Sequence, residues 1–165
     1  MDRVTQIISV IEKNPGIKFR EIMRETGMKN GVLGYYAAKL EREGTARIER
    51  TPGQTRFYPP GVSDEEVLLI KNLRQETPRQ ILASLLYHEA LSFSELVEKT
   101  GKSQATVSLY LSQVTRDSLV ESKIVNFKKK YYVRDAAKLR SIISKYHPNL
   151  IESSADRLAD TFSSL

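Results

Sequence analysis

The side chains best suited to chemistry in this sequence are cations and amides gathered around two predicted turns. Arg50, Gln54 and Arg56 surround the first turn, and residues 128–130 form an unbroken lysine run at the second. Clusters of this kind bind phosphate oxygens through charge and hydrogen bonds. The chain of 165 residues also has 26 Lys and Arg against 20 Asp and Glu, a net charge of +6. Both observations favour a polyanionic partner.

The residue types that most catalytic and metal sites need are missing or sparse. The sequence has no Cys, which excludes thiol catalysis, cysteine-bound zinc, iron–sulfur clusters and disulfides. His88 and His147 are its only imidazoles, and they lack the spacing of a paired metal site. The sequence also has no Gly-rich phosphate loop and no Gly-x-Ser-x-Gly motif. We therefore expect a protein without enzymatic activity, metal or cofactor.

The distribution of charge and hydropathy predicts a cytoplasmic protein. No stretch of the sequence approaches the ~20 apolar residues of a membrane span, and the amphipathic N-terminus does not resemble a targeting signal. Two basic stretches, 1–60 and 79–133, flank an acidic connector at 61–78. The alternation indicates two basic modules and no membrane partner.

An internal repeat divides the sequence into two similar parts. A shift of 74 residues, without a gap, aligns identical residues along both copies: Ile7 with Ile81, Phe19 with Phe93, Gly27 with Gly101, Tyr36 with Tyr110, and Tyr58 with Tyr132. Conservative apolar matches lie between them, so the repeated feature is mainly the pattern of a core. We predict two similar small domains in tandem.

Each copy has the pattern of three helices followed by a strand pair, which is the order of a winged helix. The apolar faces of the two third helices are Leu33, Ala37 and Leu40, and Val107, Leu111 and Val114. The predicted fold is mainly α with small β wings. The predicted domains are a first winged helix-turn-helix domain (1–60), a connecting helix (61–77), a second winged helix-turn-helix domain (78–134) and C-terminal helices (135–165).

Three sequence signals predict where helices begin. Thr77 is followed by a proline and then by Gln80, which is typical of an N-cap with proline at the first helical position. Ser92 with Glu95, and Ser63 with Glu66, have the spacing of capping boxes.

Several short motifs resemble a known group of proteins. The segments 16–21, 30–33, 40–44 and 55–59, with 103–108, 130–133, 145–148 and 155–162, resemble archaeal predicted transcriptional regulators that contain two winged helix-turn-helix domains, distant relatives of the MarR and ArsR groups. The resemblance implies sequence-directed binding of double-stranded DNA, usually by a dimer, and hence a chromosome-associated protein. The metal-sensing part of the ArsR kinship does not carry over, because its Cys or His ligands are missing.

The helix geometry selects the side chains that would face DNA. The outer faces and starts of the third helices contain Asn30, Gly31, Gly34, Tyr35, Lys39 and Arg42, and Ser103, Gln104, Ala105, Thr106, Ser108, Ser112 and Arg116. The wings add Arg50, Gln54, Arg56, Lys128, Lys129 and Lys130. Amides suit adenine edges and cations suit phosphates. We predict that both third helices enter major grooves while the wings bind the backbone.

Structural alternatives exist for several of these residues. Asn30 and Ser103 are suited equally to N-capping, and a lysine run is ordinarily a solvated strand edge. Arg42 and Arg116 also complement the negative ends of their helices. The two glycines of the first outer face need a compensating reason, such as close approach of the backbone to a groove, since glycine in an exposed helix destabilises it by about 1 kcal/mol relative to alanine.

The C-terminal sequence predicts a dimerisation element. Two apolar stripes at helical spacing lie on either side of Pro148: Leu139, Ile142, Ile143 and Tyr146, and Ile151, Ala155, Leu158 and Phe162. We expect these stripes to join two copies, because a two-fold protein can read two half-sites. The alternative is that they fold back on their own domain.

A second function remains open at this level. Tandem winged helices also act as protein–protein adapters in transcription and chromosome-organising complexes, and an adapter should bind DNA weakly and without sequence preference. The operator, the sign of regulation and any small-molecule effector are not encoded in these motifs.

Overall fold

A computed structural model describes residues 2–146 of the chain. The fold is mostly helical with two small antiparallel sheets, which confirms the predicted class. The chain divides into two compact units, Met1–Val67 and Leu68–Leu165, called here the first and second units. In the described residues no helix is long and apolar enough to cross a membrane.

The first unit has the winged-helix order. Helices α1 (Arg3–Lys13), α2 (Phe19–Thr26) and α3 (Asn30–Arg42) precede a hairpin of β2 (Arg47–Thr51) and β3 (Gln54–Tyr58). A two-residue strand, β1 (Ile17–Lys18), adds to β3, so the sheet order is β1-β3-β2. The core contains Ile7, Ile11, Ile22, Leu33, Leu40 and Phe57.

Helix α4 (Asp64–Leu73) begins in the first unit and ends in the second. Its start is the predicted capping box, since the backbone N–H of Glu66 donates to Ser63 Oγ at 3.2 Å. Val67, Ile70 and Leu73, at helical spacing, are buried. The helix therefore has one apolar face.

The second unit repeats the order of the first and adds one described helix. Its elements are α5 (Glu76–His88), α6 (Phe93–Thr100), α7 (Gln104–Arg116), the hairpin of β4 (Val120–Val125) and β5 (Lys128–Val133), and α8 (Ala136–Tyr146). The capping box of α6 is present, because the backbone N–H of Glu95 donates to Ser92 Oγ and the carboxylate of Glu95 accepts from the backbone N–H of Ser92.

The predicted start of α5 is wrong by two residues. Gln75, not Thr77, is the N-cap, and Pro78 lies inside the first turn. Proline is tolerated there because the first backbone N–H groups of a helix have no intrahelical acceptor. The carbonyl of Leu73, at the end of α4, accepts a hydrogen bond from Arg79 at 3.1 Å.

A polar cluster attaches the C-terminal end of α4 to α7 within the second unit. The fully buried Asn72 donates to Asp117 Oδ2 at 2.9 Å and accepts from Gln113 Nε2 at 2.7 Å. Lys71 Nζ lies 3.4 Å from the same Asp117 carboxylate. These contacts fix the end of α7 from which the second wing departs.

The apolar stripe of α8 is largely buried within one chain. Leu139, Ile142 and Tyr146 are buried, and Ile143 is half-buried. Apolar surface that is already covered within one chain is not available to a second copy. These residues therefore fit the alternative that the stripe folds back on its own domain better than they fit dimerisation. The other predicted dimerisation residues, Ile151, Ala155, Leu158 and Phe162, lie outside the described part of the chain.

Candidate nucleic-acid interface

Helix α3 separates an apolar inner face from a small and polar outer face. Leu33, Ala37 and Leu40 are buried, as predicted. The outer residues Gly31, Tyr35, Ala38 and Arg42 are exposed, while Gly34 and Lys39 at the shoulders are half-buried. The predicted DNA-facing set of α3 therefore lies on one accessible surface.

Intramolecular packing does not require glycine at positions 31 and 34. Apart from its chain neighbours and the adjacent backbone of α3, a Cβ atom built at either position would meet no atom of the described chain within 4 Å. Alanine would fit both sites and favours the helix by about 1 kcal/mol per residue. The missing side chains leave room for something outside the protein.

The start of α3 differs from the expected one at its first residue. Lys29 occupies the N-cap position, so the alternative that Asn30 caps the helix is wrong. Asn30 is the first helical residue and is exposed. Its amide is available to an external partner, as the interface prediction requires.

The two aromatic side chains of α3 differ in burial. Tyr36 packs against the core of the first unit, whereas Tyr35 is 66% exposed. The two rings meet edge to face, with centroids 5.2 Å apart. Tyr110, the equivalent of Tyr36, is half-buried.

The first wing offers fewer free cations than its sequence suggested. Arg56 is 3% exposed and donates to the carbonyl of Gly16 at 2.9 Å, so the prediction that it contacts DNA from the wing surface is wrong. Arg56 lies on the central strand β3, between Lys18 of β1 and Glu49 of β2. Gln54 is exposed at the start of that strand and accepts from Arg56 at 3.4 Å.

Arg50 is exposed but its guanidinium is already occupied. It donates two hydrogen bonds to the carboxylate of Glu41, at 2.8 and 2.9 Å. These hydrogen bonds raise the pKa of Arg50 and lower that of Glu41. The predicted phosphate contact of Arg50 would compete with this carboxylate, which already balances the charge of the guanidinium and engages two of its five N–H donors. Nearby Arg47 is held in the same way by Glu49 and Asp64.

Helix α7 presents the equivalent surface in the second unit. Val107, Leu111 and Val114 face the core. Its exposed residues include Gln104, Ala105, Ser108, Leu109, Ser112 and Arg116. Leu109, at the position equivalent to Tyr35, is 61% exposed in the middle of this face. The surface combines one amide, two hydroxyls and one large apolar side chain.

Ser103 has the capping role that the sequence left open. Its hydroxyl accepts from the backbone N–H of Thr106 at 3.1 Å and donates to Thr106 Oγ1 at 2.9 Å. Both hydroxyls are thus engaged at the helix start, and Thr106 is half-buried. Gln104, directly after the cap, is exposed.

The second wing is the more strongly cationic hairpin. Lys128 and Lys129 are exposed, and Lys129 Nζ lies 5.5 Å from the centre of the Tyr131 ring. Lys130 is half-buried, with its ammonium 3.7 Å from Glu95 Oε1. Lys123, which the sequence analysis did not single out, is exposed over the ring of Tyr132.

The tip of this wing carries an apolar residue that the sequence analysis treated only as part of a turn. Phe127 is fully exposed, and Ile124 on the preceding strand is 70% exposed. The turn has two residues, because Lys128 pairs with Val125 and begins β5. The feature that could have identified this residue is the presence of a bulky side chain, Phe127, in a two-residue turn between paired strands.

One comparison with known protein families covers the first unit of the chain. Residues 1–68 match the family HTH_HVO_0163_N, described as an N-terminal HTH domain. The first unit is a helix-turn-helix domain. HlyU from Vibrio cholerae N16961 is a similar solved structure, 28% identical, with a TM-score of 0.43 over 50% of this chain and 91% of HlyU. No curated protein matches the chain.

The described part of the candidate interface contains no group of side chains suited to bind a metal ion. Within residues 2–146, the side chains of His, Asp and Glu form no group of three that could hold a metal ion. The interface residues that remain are amides, hydroxyls, cations and small or apolar side chains.

Proposed function

We propose that the protein is a sequence-specific, DNA-binding transcriptional regulator. The observation that carries the proposal is the outer face of α3, where two helical glycines that packing does not require lie on an accessible surface. Close approach of a helix backbone to the floor of a groove is a reason to keep glycine there. The helix-turn-helix match over residues 1–68 supports the same function.

In this proposal α3 and α7 each enter a major groove. Asn30 and Gln104 reach base edges near the start of each helix, since amides pair well with adenine. Gly31, Gly34 and Ala105 permit close approach, while Tyr35, Ser108 and Ser112 contact base edges or sugars. The cations Lys39, Arg42 and Arg116 bind phosphates at the shoulders and ends of the helices.

The wings hold the DNA backbone in the same proposal. Lys128 and Lys129 are the principal phosphate contacts, because both are exposed and follow directly after the turn. Lys130 contributes less, since Glu95 already partly balances its charge. Gln54 has an equivalent place on the first wing. We propose a homodimer as the reading form, with two copies on two half-sites.

The experiment is selection of genomic DNA fragments by the purified full-length protein, followed by sequencing of the bound pool. A regulator enriches a defined motif, and a homodimer enriches a palindrome of two half-sites. Binding of equal strength to all fragments would contradict sequence-specific reading and favour the protein–protein adapter.

A matched pair of variants links the selected motif to α3. Asn30→Ala should relax the preference at one or two base pairs and lower the affinity for the selected site by about 1–3 kcal/mol. Glu12→Ala, an exposed change on α1, serves as the control and should leave both quantities unchanged.

A further inference from the structure

The tip of the second wing is a two-residue turn with an unusual occupant. Val125 pairs with Lys128, and the intervening Asn126 and Phe127 have φ values of 51° and 64°. Asparagine adopts positive φ comparatively readily, but a bulky aromatic residue does so rarely. The Phe127 side chain is also fully exposed to solvent.

The first wing provides an internal comparison for this position. Under the 74-residue repeat, Phe127 corresponds to Gly53, which lies in the turn between the paired residues Thr51 and Gln54. Gly53 also has a positive φ, of 77°. The first copy thus carries the residue that the backbone favours, whereas the second carries a residue that it disfavours. Neither turn geometry nor burial explains phenylalanine at 127.

The surroundings of Phe127 indicate what it contacts. Lys128 and Lys129 follow it directly and are exposed, and Lys123 is exposed on the partner strand. Ile124 extends the apolar surface behind the tip. The acidic residue of β4, Glu121, lies at the opposite end of the hairpin, where it pairs with Tyr132 and Arg134. An apolar tip surrounded by cations complements a partner that is anionic outside and apolar inside.

Duplex DNA has this arrangement, with phosphates flanking a stack of bases. We propose that Phe127 is an apolar wedge that enters the minor groove and partly unstacks one base step, while Lys128 and Lys129 bind the phosphates on either side. Proteins that insert Phe or Leu in this way kink and unwind the duplex. The site should therefore prefer a flexible pyrimidine–purine step at the wedge. The inference rests on the proposed function and adds a deformation of the DNA to it.

The test measures the linking number of a closed circular plasmid that carries the selected site. The plasmid is saturated with full-length protein, relaxed with topoisomerase I, freed of protein and resolved on a chloroquine gel. Wild-type protein should lower the linking number relative to protein-free plasmid, because a wedged step is unwound. Phe127→Gly should remove the change and weaken binding by at least about fivefold, although glycine suits the turn.

Two further variants locate the effect. Phe127→Leu should keep part of the change in linking number, and Ile124→Ala should keep nearly all of it. A change that survives Phe127→Gly, or that Ile124→Ala abolishes equally, overturns the wedge. Wild-type protein that binds the site without any change in linking number also overturns it and leaves the proposed function standing. Failure of wild-type protein to bind any DNA contradicts the proposed function itself.

A membrane surface is the other partner that a cationic and apolar tip suits. Cosedimentation with phosphatidylglycerol–phosphatidylcholine vesicles tests it. Vesicle binding that Phe127→Gly abolishes, without a change in linking number by wild-type protein, would replace DNA by a lipid surface. We expect no such binding.

Discussion

The guanidinium of Arg50 and the carboxylate of Glu41 form a bidentate pair that joins the first wing to the end of α3. Helix α3 and the wing also share one hydrophobic core, which contains Leu40, Ile48 and Phe57. The pair adds a surface contact to that packing and partly balances the charge of one cation of the proposed interface.

Glu41→Gln should lower the free energy of unfolding slightly at neutral pH. Both side chains are more than one third exposed, so solvent screening limits the loss to less than about 1 kcal/mol. Because the pair lowers the pKa of Glu41, its contribution is complete above the ordinary value of 4.5 and disappears as pH falls through the lowered pKa. Urea denaturation at pH 7 and pH 3 checks this, with Glu43→Gln as control. An equal difference at both pH values would contradict the ion pair.

Replacement of either helical glycine by alanine should change the free energy of unfolding and the affinity for DNA in opposite directions. Gly31→Ala and Gly34→Ala each should raise the free energy of unfolding by up to about 1 kcal/mol, because nothing in the described chain obstructs the added methyl group. The same variants should bind the selected DNA more weakly, since the methyl group enlarges the reading face. Urea denaturation and fluorescence anisotropy measure the two effects. Ala38→Gly is the control of opposite sign for stability. Stabilised variants with unchanged affinity would remove this face from the interface.

The lysines of the second wing should contribute unequally to the salt dependence of DNA binding. Lys128→Ala and Lys129→Ala each should reduce the slope of log K against log salt by about 0.9, the value for one lost phosphate contact. Lys130→Ala should reduce it less, because Glu95 already lies 3.7 Å from this ammonium. Arg134→Ala, at the opposite end of the hairpin, is the control. Three equal reductions would show that the Glu95 contact does not persist in the complex.

Removal of residues 148–165 should convert the proposed homodimer to a monomer. The second apolar stripe, Ile151, Ala155, Leu158 and Phe162, would be lost, whereas the buried residues of α8 would remain. Multi-angle light scattering gives the mass, and circular dichroism checks that the shortened chain is still folded. A folded variant with the mass of a dimer would assign the assembly to another surface.

Apolar periodicity predicted the helices well because burial of one helical face dominates their stability. The inner faces of α3 and α7 were identified residue by residue, and the capping boxes at Ser63 and Ser92 follow from local hydrogen bonds that sequence spacing determines. The short strand β1 was missed, since two residues are too few for a period. Its existence depends on pairing with β3, which brings together residues distant in the sequence: Ile17 pairs with Phe57 and Lys18 with Arg56.

The availability of cations was the least predictable property of the candidate site. Arg56 is covered because β3 is the central strand, and Arg50 is occupied because a turn brings Glu41 opposite to it. Both facts depend on strand register and on contacts distant in sequence, which residue type alone does not encode. Phe127 was not predicted as a site residue for a similar reason. It stands out because its backbone φ is positive and its side chain is fully exposed, and residue type alone gives neither property.

Asn72 anchors α7, the second helix proposed to enter DNA, through buried hydrogen bonds. Its amide is shared between Asp117 and Gln113 and is wholly shielded from water, so rotation of α7 about its own axis would strand buried polar atoms. In the proposed complex this buried cluster holds α7 from the side opposite to DNA. A substitution at Asn72 should therefore change the base preference that we propose for Ser108 and Ser112, although neither serine is altered.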